Sequence, residues 1–74
     1  MTQYIKVAMG KARYELLPDD DTFYGDIAGF DGVYANATTL EACQSELEEV
    51  LGEWILLRAS RHFPLPFIVD NEQG

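Results

Sequence analysis

The chain reads as an α+β domain: a three-stranded antiparallel meander, a long helix and a short fourth strand, with a short helix at the amino terminus. Three observations predict this. Alternating apolar and polar residues run on either side of the glycine-containing stretch Gly29-Phe30-Asp31-Gly32. A longer segment after Thr38 switches to apolar residues at three- and four-residue steps. Pro18 and the run Asp19-Asp20-Asp21 separate the first two alternating runs, as a tight reversal requires.

Along Tyr4 to Lys11, Tyr4, Ile5, Ala8 and Ala12 follow helical spacing, while Ile5, Val7 and Met9 would equally alternate as a strand. A short helix stopped by Gly10 is the favoured reading. Ala12 to Leu17 is the first strand, with Ala12, Tyr14 and Leu16 on one face and Arg13 and Glu15 on the other. Thr22 to Ala28 is the second; Phe23, Gly25 and Ile27 point inward, Tyr24 and Asp26 outward. Glycines at 29 and 32 supply the backbone angles of a sharp turn, with Phe30 placed at its tip. Val33 to Ala37 is the third strand, turning Val33, Ala35 and Ala37 inward and Tyr34 and Asn36 outward.

Thr38 and Glu41 fit the S/T-x-x-E capping box at the start of the long helix. Its expected apolar stripe is Leu40, Cys43, Leu47, Val50, Leu51, Trp54 and the stem of Arg58. Arg58, Arg61 and His62 crowd the last turns, where positive charge complements the helix dipole, and Pro64 and Pro66 end the element. Phe67-Ile68-Val69 is the expected fourth strand, reached by a right-handed parallel crossover.

At 74 residues the chain is a single domain, 1–74. A domain this small buries only about 60% of its unfolded surface, so oligomerisation would help it. Four Tyr, four Phe and one Trp are more aromatic surface than one helix can cover, which again points to an interface. Thirteen acidic residues against five basic ones give a net charge of −8. Such a chain is repelled by nucleic-acid phosphates and anionic membranes, so no direct nucleic-acid or membrane binding is expected. A basic protein is its natural electrostatic partner. One cysteine, Cys43, allows no internal disulfide and suits a reducing, cytoplasmic setting. Met1-Thr2-Gln3 does not begin a signal peptide, and no apolar run approaches the ~20 residues of a membrane span.

No catalytic set emerges, and no cofactor is expected. Consecutive aspartates at 19–21 lack the alternating ligand spacing of a calcium loop and read as a solvated turn. Cys43 and His62 would lie ~28 Å apart along one helix, too far for a nucleophile and its base. A metal-dependent nuclease would draw on Glu15, one of Glu46, Glu48 or Glu49, and Asp70, whose oxygens would have to converge within ~4 Å of each metal. Glu15 faces away from Tyr14 and Leu16, which argues against that convergence. The outward aromatics carry more weight: Tyr24 and Tyr34 share the face away from the helix with Asp26 between them in sequence.

The run Tyr24-Gly25-Asp26-Ile27-Ala28-Gly29-Phe30-Asp31-Gly32-Val33, then Tyr34-Ala35, then Thr39-Leu40-Glu41 and the late Glu53-Trp54-Ile55, resembles the HicB-like antitoxin family. Its pattern is close to Y-x-G-x-I-P-G-L-P-G-V-x-A, a T-x-E-E-A helix start and a late W-I; Ala28 and Asp31 stand where the family has turn prolines. The resemblance implies a truncated ribonuclease H-like fold without nuclease activity. It also implies a partner, a small basic HicA-type toxin that cleaves messenger RNA and whose active site the antitoxin covers. Family members self-associate as dimers or tetramers, and many carry a carboxy-terminal DNA-binding segment; none is recognisable before Gly74, so direct operator binding is not expected. The expected partner-contact residues are Tyr24, Asp26, Phe30, Asp31 and Tyr34. The alternatives are the metal-dependent nuclease above and an orphan structural oligomer without a toxin.

Overall fold

Periodicity is resolved in favour of helix at the start of the chain. In the computed structural model, which describes residues 2–66, helix α1 spans Thr2–Met9 and is followed by β1 (Ala12–Leu17), β2 (Thr22–Ile27), β3 (Tyr34–Ala37) and helix α2 (Leu40–Ser60). Ala8 is fully buried, and Tyr4, Ile5 and Met9 pack against the core from the same side of α1. Gly10 closes the helix, its N–H donating to the Lys6 carbonyl at 3.1 Å.

The strands pair in the order β1-β2-β3, both junctions antiparallel. Between β1 and β2, the Leu17 carbonyl oxygen accepts from the amides of Asp20 and Asp21. Asp21 takes φ 57°, a left-handed angle that aspartate tolerates better than most residues. The next reversal is built differently from expectation. β2 stops at Ile27 and β3 begins at Tyr34, so Ala28 and Val33 belong to the turn. Gly29 and Gly32 hold φ of 87° and 92°, and between them Phe30 is only 2% exposed. The turn therefore folds Phe30 down into the core instead of presenting it at a tip. Its ring lies 6.2 Å from Tyr4 and 5.3 Å from Trp54, both tilted, a favourable aromatic geometry. Trp54 also donates its indole N–H to the Asp31 carbonyl at 3.1 Å, fastening the turn to α2.

α2 lies across the inner sheet face. Its buried track is Cys43, Leu47, Leu51 and Ile55, meeting Ile27, Val33 and Ala35 from the sheet. Steps of four residues thus define the seam, with Val50 and Trp54 half-buried beside it. Leu40, expected in the stripe, is 41% exposed because it sits on the first turn, at the end of the short strand β3. The helix start also differs by one residue. Thr39, not Thr38, is the N-cap: its backbone is extended and its hydroxyl accepts from the Ala42 amide at 3.0 Å. Glu41 is therefore not at the position a reciprocal capping box needs. α2 ends before Pro64. The amides of His62 and Phe63 donate to the carbonyls of Ala59 and Arg58, closing a Schellman turn with His62 left-handed at φ 59°. The Arg58 guanidinium lies over both the Trp54 and Phe63 rings, at 4.8 and 5.6 Å. The Tyr4 hydroxyl then ties the Pro66 carbonyl to α1 at 2.6 Å. The expected fourth strand at 67–69 lies outside the described residues.

At one point the helix and sheet approach too closely for a side chain. A methyl at Gly25 would sit 2.7 Å from the Tyr14 ring and 3.2 Å from the Cys43 sulfur. Gly25→Ala is therefore expected to destabilise the protein by about 1–3 kcal/mol. In a Tyr14→Ala background most of that loss should vanish, and a double-mutant cycle from urea melts reads the difference. At the helix ends, Thr39→Ala should cost about 1 kcal/mol through its lost cap. His62→Gly should gain about 1 kcal/mol by removing a left-handed side chain; thermal unfolding checks both signs.

Candidate binding surfaces

One helix covers one side of the sheet, so alternation sends the other set of side chains to solvent. The outer face carries Arg13 and Glu15 from β1, Tyr24 and Asp26 from β2, and Tyr34 and Asn36 from β3. Register brings Arg13 opposite Asp26 and Asp26 opposite Tyr34. The two tyrosine rings stack, with centroids 6.2 Å apart and planes 25° from parallel. Tyr34 is 58% exposed, and Tyr24 is half-buried beneath it. Asn36 is held flat by two hydrogen bonds of 2.9 Å, to the Thr22 hydroxyl and the Phe23 carbonyl. Arg13 reaches Asp26 at 3.6 Å, but Arg13 is largely in water, so the pair contributes little to stability. The result is a preordered aromatic pair beside a carboxylate, able to make apolar contact and to accept from a cationic donor.

Of the five expected contact residues, the structure gathers Tyr24, Asp26 and Tyr34 on this face. Asp31 is exposed on the reversal between β2 and β3, at the edge of the Phe30 cluster. Phe30 itself is a core residue, and its expected surface role is corrected accordingly: the angles at Gly29 and Gly32 turn it inward between Tyr4 and Trp54. An apolar side chain bracketed by two glycines marks a reversal, but only the distant partners fix which way it points.

The acidic alternative fares differently. Glu15 pairs with Tyr24 on the outer face, whereas Glu46, Glu48 and Glu49 ride on α2, packed against the opposite face. The sheet thus separates them, and Asp70 lies outside the described residues. Among the described residues no three His, Cys, Asp or Glu side chains are grouped to hold a metal ion. Cys43 is fully buried, its thiol donating to the Ala35 carbonyl at 3.7 Å. Burial, with a lesser push from Glu46, raises its pKa and keeps the thiol protonated. It is packing, not a nucleophile.

A second surface was not anticipated. Beyond β1, a cleft of about 660 Å³ opens between the end of α1, the inner side of β1 and the first half of α2. Met9, Ala12 and Tyr14 form one wall; Glu41, Gln44, Ser45 and Glu48 form the other. The helical wall follows i, i+3, i+4, i+7 spacing, which in retrospect marks one continuous helix face.

Comparison with known proteins agrees with this architecture. No curated protein matches the chain. A solved structure does: the crystal structure of TTHA0281 from Thermus thermophilus superimposes with a TM-score of 0.82 at 39% identity, covering 89% of this chain and 88% of that one. The UPF0150-like family profile matches residues 3–66, from α1 through the residues that follow α2. The paired helices, the meander and the glycine-bracketed turn all fall inside that match, and the chain belongs to the UPF0150-like family.

Proposed function

We propose that this protein is a HicB-like antitoxin module, which binds a small basic HicA-type ribonuclease toxin and neutralises it by covering the toxin's active site. The observation that carries this reading is the outer sheet face, where a stacked Tyr24–Tyr34 pair sits beside Asp26 on a chain of net charge −8. Aromatic residues supply large contact area at low entropic cost, and complementary charge speeds encounter with a cationic partner. The meander followed by a long helix also has the layout with which a ribonuclease H-like fold begins, in keeping with a truncated version of that fold. The chain would act by occlusion, without chemistry of its own. A reducing cytoplasm suits its single buried thiol, and no helix among the described residues is long and apolar enough to cross a membrane. Self-association as a dimer or tetramer accords with so small a core.

The contact set for the toxin is Tyr24, Asp26 and Tyr34, with Asp31 at its margin; Phe30 acts by holding the turn. Co-expression with a small basic protein encoded by a neighbouring gene tests the reading directly: growth should be rescued and a complex should purify. Failure of both, with the partner shown to be toxic alone, would refute it. Asp26→Lys should slow association about tenfold and flatten its dependence on salt, measured by stopped-flow fluorescence. Tyr34→Ala should instead speed dissociation, with an affinity loss of about 1–2 kcal/mol. An unchanged association rate for Asp26→Lys would remove the outer face from the interface.

A further inference from the structure

Parity and register arrange the outer face of the sheet in cross-strand rows. One row is Arg13, Asp26 and Tyr34, with Asp26 directly opposite both of the others; the row beside it is Glu15, Tyr24 and Asn36. Residues directly opposite in an antiparallel pair have Cβ atoms about 5 Å apart. The Asp26 carboxylate therefore stands between a cation and an aromatic ring. The ring is backed: Tyr24 stacks on it diagonally from the neighbouring row, with centroids 6.2 Å apart, and Tyr34 is still 58% exposed. The cation is held far less firmly. The Arg13 guanidinium meets Asp26 at 3.6 Å with 72% of its side chain in water, against 33% for Asp26. An ion pair that exposed opens readily.

We propose that Asp26 and Tyr34 form a seat for one arginine side chain of a protein partner, and that Arg13 is the internal occupant this arginine displaces. The proposal rests on the outer face being the contact surface; it adds which partner residue that face reads and what competes for the place. A carboxylate beside an exposed aromatic ring suits a guanidinium for a geometric reason. The group is planar, so its flat side can lie on the ring while its edge N–H groups donate to the carboxylate oxygens. A lysine ammonium is a compact, strongly hydrated point charge without that flat side. Arg13 already sets a guanidinium against this carboxylate, but it reaches Asp26 from β1, the strand on the side away from Tyr34. An arginine arriving from above the sheet meets the ring as well. Competition from Arg13 thus makes the seat selective, because a cation that offers charge alone gains little by replacing it.

The test needs no toxin, so its failure is distinct from failure of the co-expression experiment that tests occlusion. Short capped peptides of valine alternating with arginine, or with lysine, are titrated into the isotopically labelled full chain and followed by amide chemical shifts. The arginine peptide should move Arg13, Asp26 and Tyr34 most and bind about threefold more tightly than the lysine peptide. Arg13→Gln should tighten the arginine peptide about threefold further, by removing the competitor. In an Asp26→Asn background the same substitution should leave affinity unchanged. Lys6→Gln removes an equal charge from an exposed position on α1 and should change affinity much less, which separates local competition from net charge. The amide spectrum of each variant confirms its fold. Equal affinity for the two peptides would overturn the proposal. So would an Arg13→Gln variant that binds no more tightly, a gain that persists with Asp26→Asn, an equal gain from Lys6→Gln, or shifts that leave Asp26 and Tyr34 unmoved at millimolar peptide.

Discussion

Everything in this fold hangs on a single seam, the burial of Cys43, Leu47, Leu51 and Ile55 against the inner face of three strands. There is no second helix on the far side of the sheet among the described residues, so one layer of apolar contact does the work that larger domains divide between two. Each further contact serves to keep that seam closed. α1 plugs one end with Ala8, and the Phe30 turn seals the same region through Tyr4 and Trp54. Gly25 lets Tyr14 and Cys43 come down onto the strand, which a larger residue would prevent. A core this thin has little reserve.

The same constraint decides where binding can occur. A helix on one face leaves the other face to water, and strand alternation then dictates which residues appear there. Tyr24 and Tyr34 are not required by the core, yet they stack on one another across two strands. Aromatic side chains held in one geometry lose little freedom on contact with a partner. The flank of β1 follows from the width of the sheet: α2 covers the β2–β3 region, and the inner side of β1 extends past it toward Leu16. Both surfaces are thus consequences of an incomplete covering, one above the sheet and one beside it.

Local pattern suffices wherever local chemistry decides. β1 is bounded by Gly10 and Pro18 and alternates from Ala12 to Leu16, and its limits are readable in full. Pattern alone puts the helix cap one residue early, because Thr38 has a glutamate three positions on and Thr39 does not. The structure turns on a different quantity, the extended backbone at Thr39 that aims its hydroxyl at Ala42. Ile55 and Leu40 exchange roles for a geometric reason. Apolar residues at both three- and four-residue steps are compatible with one stripe, and only the position of the short strand β3 shows that the first turn overhangs. Phe30 is the largest displacement. Glycines announce a reversal but say nothing of whether the residue between them faces water, which depends on Tyr4 and Trp54 far away in sequence. The cleft is invisible for the same reason, since its two walls come from opposite halves of the chain.

The Phe30 turn also separates two roles that its sequence merges. In a turn carrying an apolar residue and an acidic one in succession, both could be contact residues. Here the backbone divides them: Phe30 is drawn inward by left-handed angles on either side, and Asp31 is left outside with its carbonyl bound to Trp54. The backbone of the exposed residue is thereby anchored to α2, while the two side chains point to different environments. A turn anchored to α2 and a stacked tyrosine pair give the acidic surface a definite shape, and a defined shape is what would distinguish a specific partner from any cation that the net charge would attract. Net charge alone carries no shape; packing beneath the turn and across the strands gives the acidic surface one.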